Sequence, residues 1–239
     1  MSALAWSGLA AGLSMGFSFL CLSLLQAGLP PAPWRHLIAS AGYSIGFLIV
    51  VLGRQQLFTE STLTAVLPLL TRRDRATLFS VLRLWTIVLA ANLAGAAAIA
   101  ALVTPRGIFP PEMRAAMVQV AADSFEGGAG PMILRSVLAG WLIALMVWLL
   151  PSARSARMFV ILLLTYVVAL GRFSHVIAGS VEALFAVFTG HASFGDYLVR
   201  FFLPTLLGNT IGGVALVAML NHAPLAGEFQ GPNLVRGED

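Results

Sequence analysis

The sequence predicts an all-α integral membrane protein of six transmembrane helices, and three observations carry that prediction. Of 239 residues, 59% are apolar and only 10% are charged, where a soluble globular domain carries about a quarter charged residues; the mean hydropathy is +0.90. The apolar residues fall into six segments, roughly 4–27, 36–70, 80–104, 132–150, 157–190 and 199–220, each long enough to match the ~20 residues that cross a bilayer as a helix. Segments two and five exceed a single span, and each carries a polar interruption. That combination predicts two half-helices joined by a re-entrant stretch in both places.

Segment one has no positive n-region and no small-residue cleavage site, so it reads as a first span and not as a signal peptide. It holds Cys21, the single cysteine, which excludes an intramolecular disulfide and a thiolate metal cluster. Segment two is interrupted at Gly53-Arg54-Gln55-Gln56-Leu57-Phe58-Thr59-Glu60-Ser61-Thr62, and segment three carries Asn92-Leu93-Ala94-Gly95. Segment four opens a second half, where Ser136-Val137-Leu138-Ala139-Gly140-Trp141-Leu142 aligns with Ser7-Gly8-Leu9-Ala10-Ala11-Gly12-Leu13. Segment five is interrupted at Gly171-Arg172-Phe173-Ser174-His175, and segment six carries Asn209-Thr210-Ile211-Gly212. A polar break followed by Asn-x-x-Gly thus recurs at nearly equal spacing in each half. Three helices per half make the second half enter the membrane upside down, an inverted 3+3 repeat in which broken helices 2 and 5 mark a permeation site. The two glycines also read as faces for close helix approach. Residues 1–223 form one transmembrane domain, followed by a polar tail, 224–239, to which no function is assigned.

Loop charges predict orientation. Every one of the 14 basic residues is arginine, and the pI of 10.2 reflects these few loop charges and not nucleic-acid binding. Arg72, Arg73 and Arg75, with Arg83 just inside the next helix, cluster after segment two, and Arg154 and Arg157 follow segment four. Arg35, Arg106, Arg114 and Arg200 are spread thinly on the other side. The dense clusters predict a multi-pass protein with both termini cytoplasmic. Trp34, Trp85, Trp141 and Trp148 read as interfacial or packing residues, and His36, His191 and His222 lie near helix ends where water satisfies them.

His175 and Arg172 are the chemically informative residues, because an ionisable group at membrane depth is costly and normally faces a cavity or a partner. His175 is therefore expected to line a pathway. Arg54 and Arg172 hold corresponding places before the two breaks and are expected to cap backbone carbonyls or to pair with Glu60 and Glu182, as are Asn92 and Asn209 to be structural. An intramembrane hydrolase built on Ser180 or Ser174 is a remote alternative, since Ser174 adjacent to His175 has poor geometry for a base. A water or glycerol channel would carry Asn-Pro-Ala at both half-helices, and no proline follows Asn92 or Asn209.

Leu57-Phe58-Thr59-Glu60-Ser61-Thr62 and Phe173-Ser174-His175-Val176-Ile177-Ala178, together with Leu203-Pro204-Thr205-Leu206-Leu207-Gly208-Asn209-Thr210-Ile211-Gly212-Gly213 and on to Leu220-Asn221-His222, resemble the formate/nitrite transporter family, most of all its divergent YfdC-like branch. The resemblance runs from Trp6 to His222. It implies an aquaporin-like six-helix protomer within a homopentamer in the lipid bilayer of a bacterial inner membrane, each protomer with its own pore and no cofactor or metal. Two hydrophobic constrictions would flank a central histidine hydrogen-bonded to a threonine. By position these are His175 and Thr59, with Leu57 and Phe58 near the cytoplasmic constriction and Phe173 and Ser174 completing the pore lining.

Some positions depart from the family pattern. A lysine is expected near the start of the fourth helix, at the pore mouth, and this chain has none. Ungapped alignment puts Ser124 there, while Glu126 requires a two-residue shift. Ser174 stands in place of an acidic residue before the histidine, and Gly140 in place of a supporting asparagine. The resemblance implies pH-dependent passage of a small monovalent ion or its neutral conjugate. A bare anion entering a dry constriction loses several kcal/mol of hydration, which a neutral acid largely avoids. The reference pKa of a histidine, about 6.5, allows proton exchange near neutrality, and a hydrogen bond from Thr59 would fix one ring tautomer; alternatively the ring stays neutral throughout. Glu126 or Asp123 at the mouth would instead favour a small cation or weak base of the ammonium type. If Glu126 is simply solvated, Arg114 supplies positive charge there.

Overall fold

The computed structural model describes residues 2–218, and all regular structure among them is helical. In chain order the α-helices are α1 Ser2–Gly28, α2 Arg35–Leu52, α3 Phe58–Arg72, α4 Arg75–Leu102, α5 Pro111–Asp123, α6 Ala129–Ala153, α7 Arg157–Leu170, α8 Ala178–Phe188, the single turn α9 Phe194–Asp196 and α10 Leu203–Ile211. Wider π-turns at Tyr197–Phe202 and Gly212–Ala218 flank α10, so that 194–218 is one helical run. Pro204 explains the first of them: its ring cannot accommodate the carbonyl four residues back in regular α-geometry, and a π-turn relieves the clash. Asn221, His222, the end of segment six and the polar tail lie outside the described residues.

Among the described residues, five helical stretches are long and apolar enough to cross a membrane: Ser2–Gly28, Arg35–Leu52, Arg75–Leu102, Ala129–Leu170 and Phe194–Ala215. Ala178–Phe188 is a shorter apolar helix. Polar caps carry two helices beyond the apolar segments that announced them. Asp74 accepts the Thr77 N–H at 2.8 Å, starting α4 at Arg75. Ser193 and Asp196 form a reciprocal capping box that starts the last run at Phe194. Helix α5 falls in a stretch read as loop. Thirteen residues are too few for a span, yet Met113, Ala116, Met117, Val120 and Ala121 are buried at helical spacing and pack α5 onto α1 and α8.

Both expected breaks are present and are built alike. At the end of α2 the Gly53 N–H bonds Ile49 O, Arg54 bonds Val51 O and Gln55 bonds Val50 O; at the end of α7 the Gly171, Arg172 and Phe173 N–H groups bond Val167, Ala169 and Val168 in the same pattern. In each case the left-handed residue is an arginine, Arg54 at φ 52° and Arg172 at φ 51°, where glycine is the usual occupant of such a cap.

One buried asparagine holds each break. The Asn92 side-chain nitrogen donates to Gly8 O at 2.7 Å and Gln56 O at 2.8 Å, and its oxygen accepts the Phe58 N–H at 2.9 Å. The Asn209 nitrogen donates to Ser136 O at 2.8 Å and Ser174 O at 2.9 Å, and its oxygen accepts the Val176 N–H at 2.8 Å. The amides reach these carbonyls because the helices cross backbone to backbone. A methyl group added at Gly12 would sit on Asn92 O and one at Gly95 on Leu9 O, where α1 crosses α4; at Gly140 it would sit on Asn209 O and at Gly212 on Val137 O, where α6 crosses the last run.

Removing either amide strands three buried backbone groups, each costing about 1–3 kcal/mol. Asn92→Ala and Asn209→Ala are each expected to lower stability by several kcal/mol, read as a large fall in the thermal midpoint of the detergent-solubilised protein. By contrast, Arg54→Gly removes left-handed strain of about 1 kcal/mol, and among the described residues Arg54 makes no ion pair. It is expected to raise the midpoint slightly; a fall would show that the Arg54 side chain contributes more than its backbone costs.

Candidate functional site

The two breaks meet at His175. Its carbonyl accepts the Gly179 N–H at 2.9 Å, so the first turn leading into α8 begins at this residue. The ring is 1% exposed, as is Thr59 in the first turn of α3. His175 Nε2 lies 2.7 Å from Thr59 Oγ1, and the Phe47 ring packs edge-on against the imidazole with centroids 5.0 Å apart. On the other side, Nδ1 accepts the N–H groups of Ile177 at 3.3 Å and Ala178 at 3.2 Å. A proton on Nδ1 would point at two donors, which assigns the proton to Nε2. The hydrogen bond therefore runs from His175 Nε2–H to the Thr59 oxygen, the reverse of the direction expected from sequence, and the Thr59 hydroxyl hydrogen remains available to a third group. The starts of α3 and α8 meet through this bond, so the positive ends of two helix dipoles converge on one point, an arrangement that favours negative charge.

Leu57 and Phe58 are buried beside Thr59. Phe58 meets the Trp85 ring edge-on at 5.9 Å, and Trp85 is fixed by donating to Ser61 O at 3.2 Å. Phe173 and Ser174 line, with His175, a cavity of about 100 Å³, and Ser174 Oγ contacts Met132 Sδ at 3.0 Å. A Cβ at Gly171 would run into the Phe173 ring, so glycine there lets the phenyl group fold back over the break.

At the other end of the cavity the expectations need correction. Arg172 pairs with Glu126 at 3.1 Å and Asp123 at 3.6 Å, not with Glu182; its loop lies against the turn after α5, whereas Glu182 sits in the second turn of α8. Arg54 forms no pair with Glu60, one of whose oxygens is buried without a hydrogen bond. Glu126 is neither a free acidic mouth nor a purely solvated residue, since it is neutralised by Arg172. Arg114 supplies no charge to the cavity: its guanidinium donates to Thr104 O at 2.6 Å and covers the Phe185 ring at 5.1 Å. Ser124, the position where a lysine is expected, donates to Glu182 Oε2 at 2.7 Å.

Glu182, Arg135 and His36 line the same cavity and were passed over in the sequence. Glu182 had been read only as an arginine partner, and His36 as a helix-end residue. His36 in fact has Nε2 3.2 Å from Leu170 O, tying the start of α2 to the end of α7. A signal for Glu182 exists: it follows His175 and Gly179 at i+7 and i+3, the spacing of a helix face continued from the break, and all three line the cavity. The hydrolase alternative finds no geometry. Ser180 bonds Val176 O and the Tyr197 hydroxyl, at 3.0 Å, Ser174 contacts Met132, and neither is hydrogen-bonded to a histidine. Among the described residues no three His, Cys, Asp or Glu side chains converge as a metal site would require.

Residues 1–223 match the family model described as formate/nitrite transporter. The inner membrane protein YfdC of Escherichia coli (strain K12) is 41% identical over 227 residues, covering 95% of this chain and 73% of that protein. The formate channel BtFdhC of Bacillus thuringiensis is 27% identical over 222 residues, covering 88% of this chain and 82% of that one. A solved pentameric formate channel with formate bound superposes with a TM-score of 0.81 over 94% of this chain and 97% of that chain at 21% identity, so the all-helical fold is shared. With its apolar helices, its two broken segments and a family match that spans both, the chain belongs to the formate/nitrite transporter family, whose members are membrane channels and transporters and not enzymes.

Proposed function

We propose that the chain passes a small monovalent anion of the formate/nitrite type, together with its neutral conjugate acid, through a pore in each protomer centred on His175 and Thr59. The observation that carries this reading is the 2.7 Å contact joining the two helix breaks, with both helix starts directed at it. A carboxylate or nitrite oxygen arriving there accepts the free hydroxyl hydrogen of Thr59, whose oxygen is held by the neutral ring. Leu57 and Phe58 form the constriction on one side of the pair and Phe173 forms it on the other, with Ser174 beside it as a polar lining group. These apolar collars make a bare anion shed water at a cost of several kcal/mol, so the protonated permeant crosses more readily and flux rises as pH falls.

The matching caps and asparagine brackets support an inverted 3+3 repeat of six spans in residues 1–223, followed by the tail 224–239. The pentameric state of the superposed formate channel supports a homopentamer. The inner-membrane name of the Escherichia coli relative supports an inner-membrane location, and the arginine clusters support cytoplasmic termini. The small-cation alternative loses its main support, because Glu126 is paired with Arg172.

Proteoliposomes containing the chain are expected to take up formate, faster at pH 5.5 than at pH 7.5, and to leave methylammonium outside; methylammonium uptake without formate uptake would overturn the anion reading. His175→Phe keeps a flat aromatic ring, somewhat larger than imidazole, but removes the donor to Thr59, and is expected to lower formate flux by about tenfold or more, the equivalent of one lost buried hydrogen bond. Unchanged flux from a correctly assembled His175→Phe oligomer would remove the histidine from the pathway.

A further inference from the structure

We propose that Glu182 is the specificity-determining residue of the cavity that leads to His175, selecting the neutral acid over the bare anion; the inference rests on the pore reading above. Glu182 lies on the cavity wall together with His175 and Gly179, three residues after Gly179 on α8. Its one side-chain hydrogen bond is from Ser124, so one carboxyl oxygen is held while the group as a whole faces the space a permeant must cross.

The surrounding charges leave Glu182 uncompensated. Its cavity is also lined by Ser124 and Asp123 from the end of α5 and the turn after it, His36 and Tyr43 from α2, Arg135 from α6, and Arg172 and His175 from the break. Arg172 is committed to Glu126 and Asp123, Arg135 donates to Glu126 O at 3.3 Å, and His36 is engaged with Leu170 O. Among the described residues no cation lies within ion-pairing distance of Glu182. A serine therefore holds a carboxylate where a lysine would have drawn anions in. At pH 7.5 an ionised Glu182 and a bare anion ~10 Å away in a protein environment repel by the equivalent of roughly a tenfold change in occupancy, whereas a neutral acid experiences no such repulsion and can hydrogen-bond the carboxylate. The mouth thus works as a filter on protonation state, placed before the dry constriction that imposes the same preference.

The test is initial formate uptake by proteoliposomes of the full chain at pH 5.5 and pH 7.5. Glu182→Gln keeps the size and the hydrogen bond from Ser124 while removing the charge. It is expected to raise uptake at pH 7.5 and to lower the pH 5.5 to pH 7.5 flux ratio by about tenfold, while Glu182→Asp keeps the wild-type ratio. Ser124→Lys replaces the serine hydrogen bond with a counter-charge while leaving residue 182 a glutamate, and is expected to lower the ratio in the same direction, which keeps the proposal open to refutation if Glu182→Gln fails to assemble. A ratio unchanged in both Glu182→Gln and Ser124→Lys, with wild-type flux intact, overturns the role of Glu182 alone. Absence of formate flux in the wild type overturns the pore reading and this inference together.

Discussion

Breaking a helix inside a membrane exposes backbone N–H and C=O groups that no water can satisfy, and this constraint organises the molecule. Asn92 and Asn209 answer it in the same way. Each spends both amide hydrogens and its oxygen on backbone groups, spanning the re-entrant stretch, the start of the half-helix and a neighbouring helix. The glycines at the two crossings follow from the same requirement. Only backbone-to-backbone approach lets so short a side chain reach a carbonyl on the facing helix, and any Cβ at Gly12, Gly95, Gly140 or Gly212 would occupy that space. With both half-helix starts pinned, Thr59 and His175 are carried to hydrogen-bond distance although they come from opposite halves of the chain.

The polar centre and the charged mouth follow different rules. At the centre, two backbone N–H groups hold Nδ1 as an acceptor and leave a neutral ring that donates through Nε2, so polarity is supplied without a fixed charge in the most apolar part of the structure. Toward the mouth, charges are present and engaged: Arg172 binds two carboxylates, and Arg200 donates to Phe125 O while covering the Phe125 ring. These contacts tie the turn after α5 to the break before α8 and to the last helical run. Surface pairs of this kind add little stability singly; their consequence is positional, because they fix the wall on which Ser124 and Glu182 stand.

Much of this was legible in the residues. Composition declared a membrane protein, the polar interruptions at Gly53–Thr62 and Gly171–His175 located both breaks, and the recurrence of Asn-x-x-Gly singled out the two asparagines that bracket them. The helix boundaries at Arg75 and Phe194 were displaced because caps, and not apolar residues, decide where a helix begins. Helix α5 escaped notice because thirteen weakly apolar residues lack the length of a span, although their burial pattern is regular.

The pairing of charges was not legible. Arg172 is ten residues from Glu182 and far from Glu126 along the chain, yet it binds Glu126, since the fold of the turn after α5 and the left-handed cap at Arg172 decide which carboxylate comes within reach. The sequence by itself determined the class of fold, the location of the breaks and which buried histidine stands at one of them, because those depend on hydrophobic length and on the cost of a lone polar group in an apolar run. Which groups face one another across the cavity was decided only by tertiary structure. The path of the turn after α5 brings Ser124 to Glu182 and Glu126 to Arg172, and local sequence carries no record of either pairing.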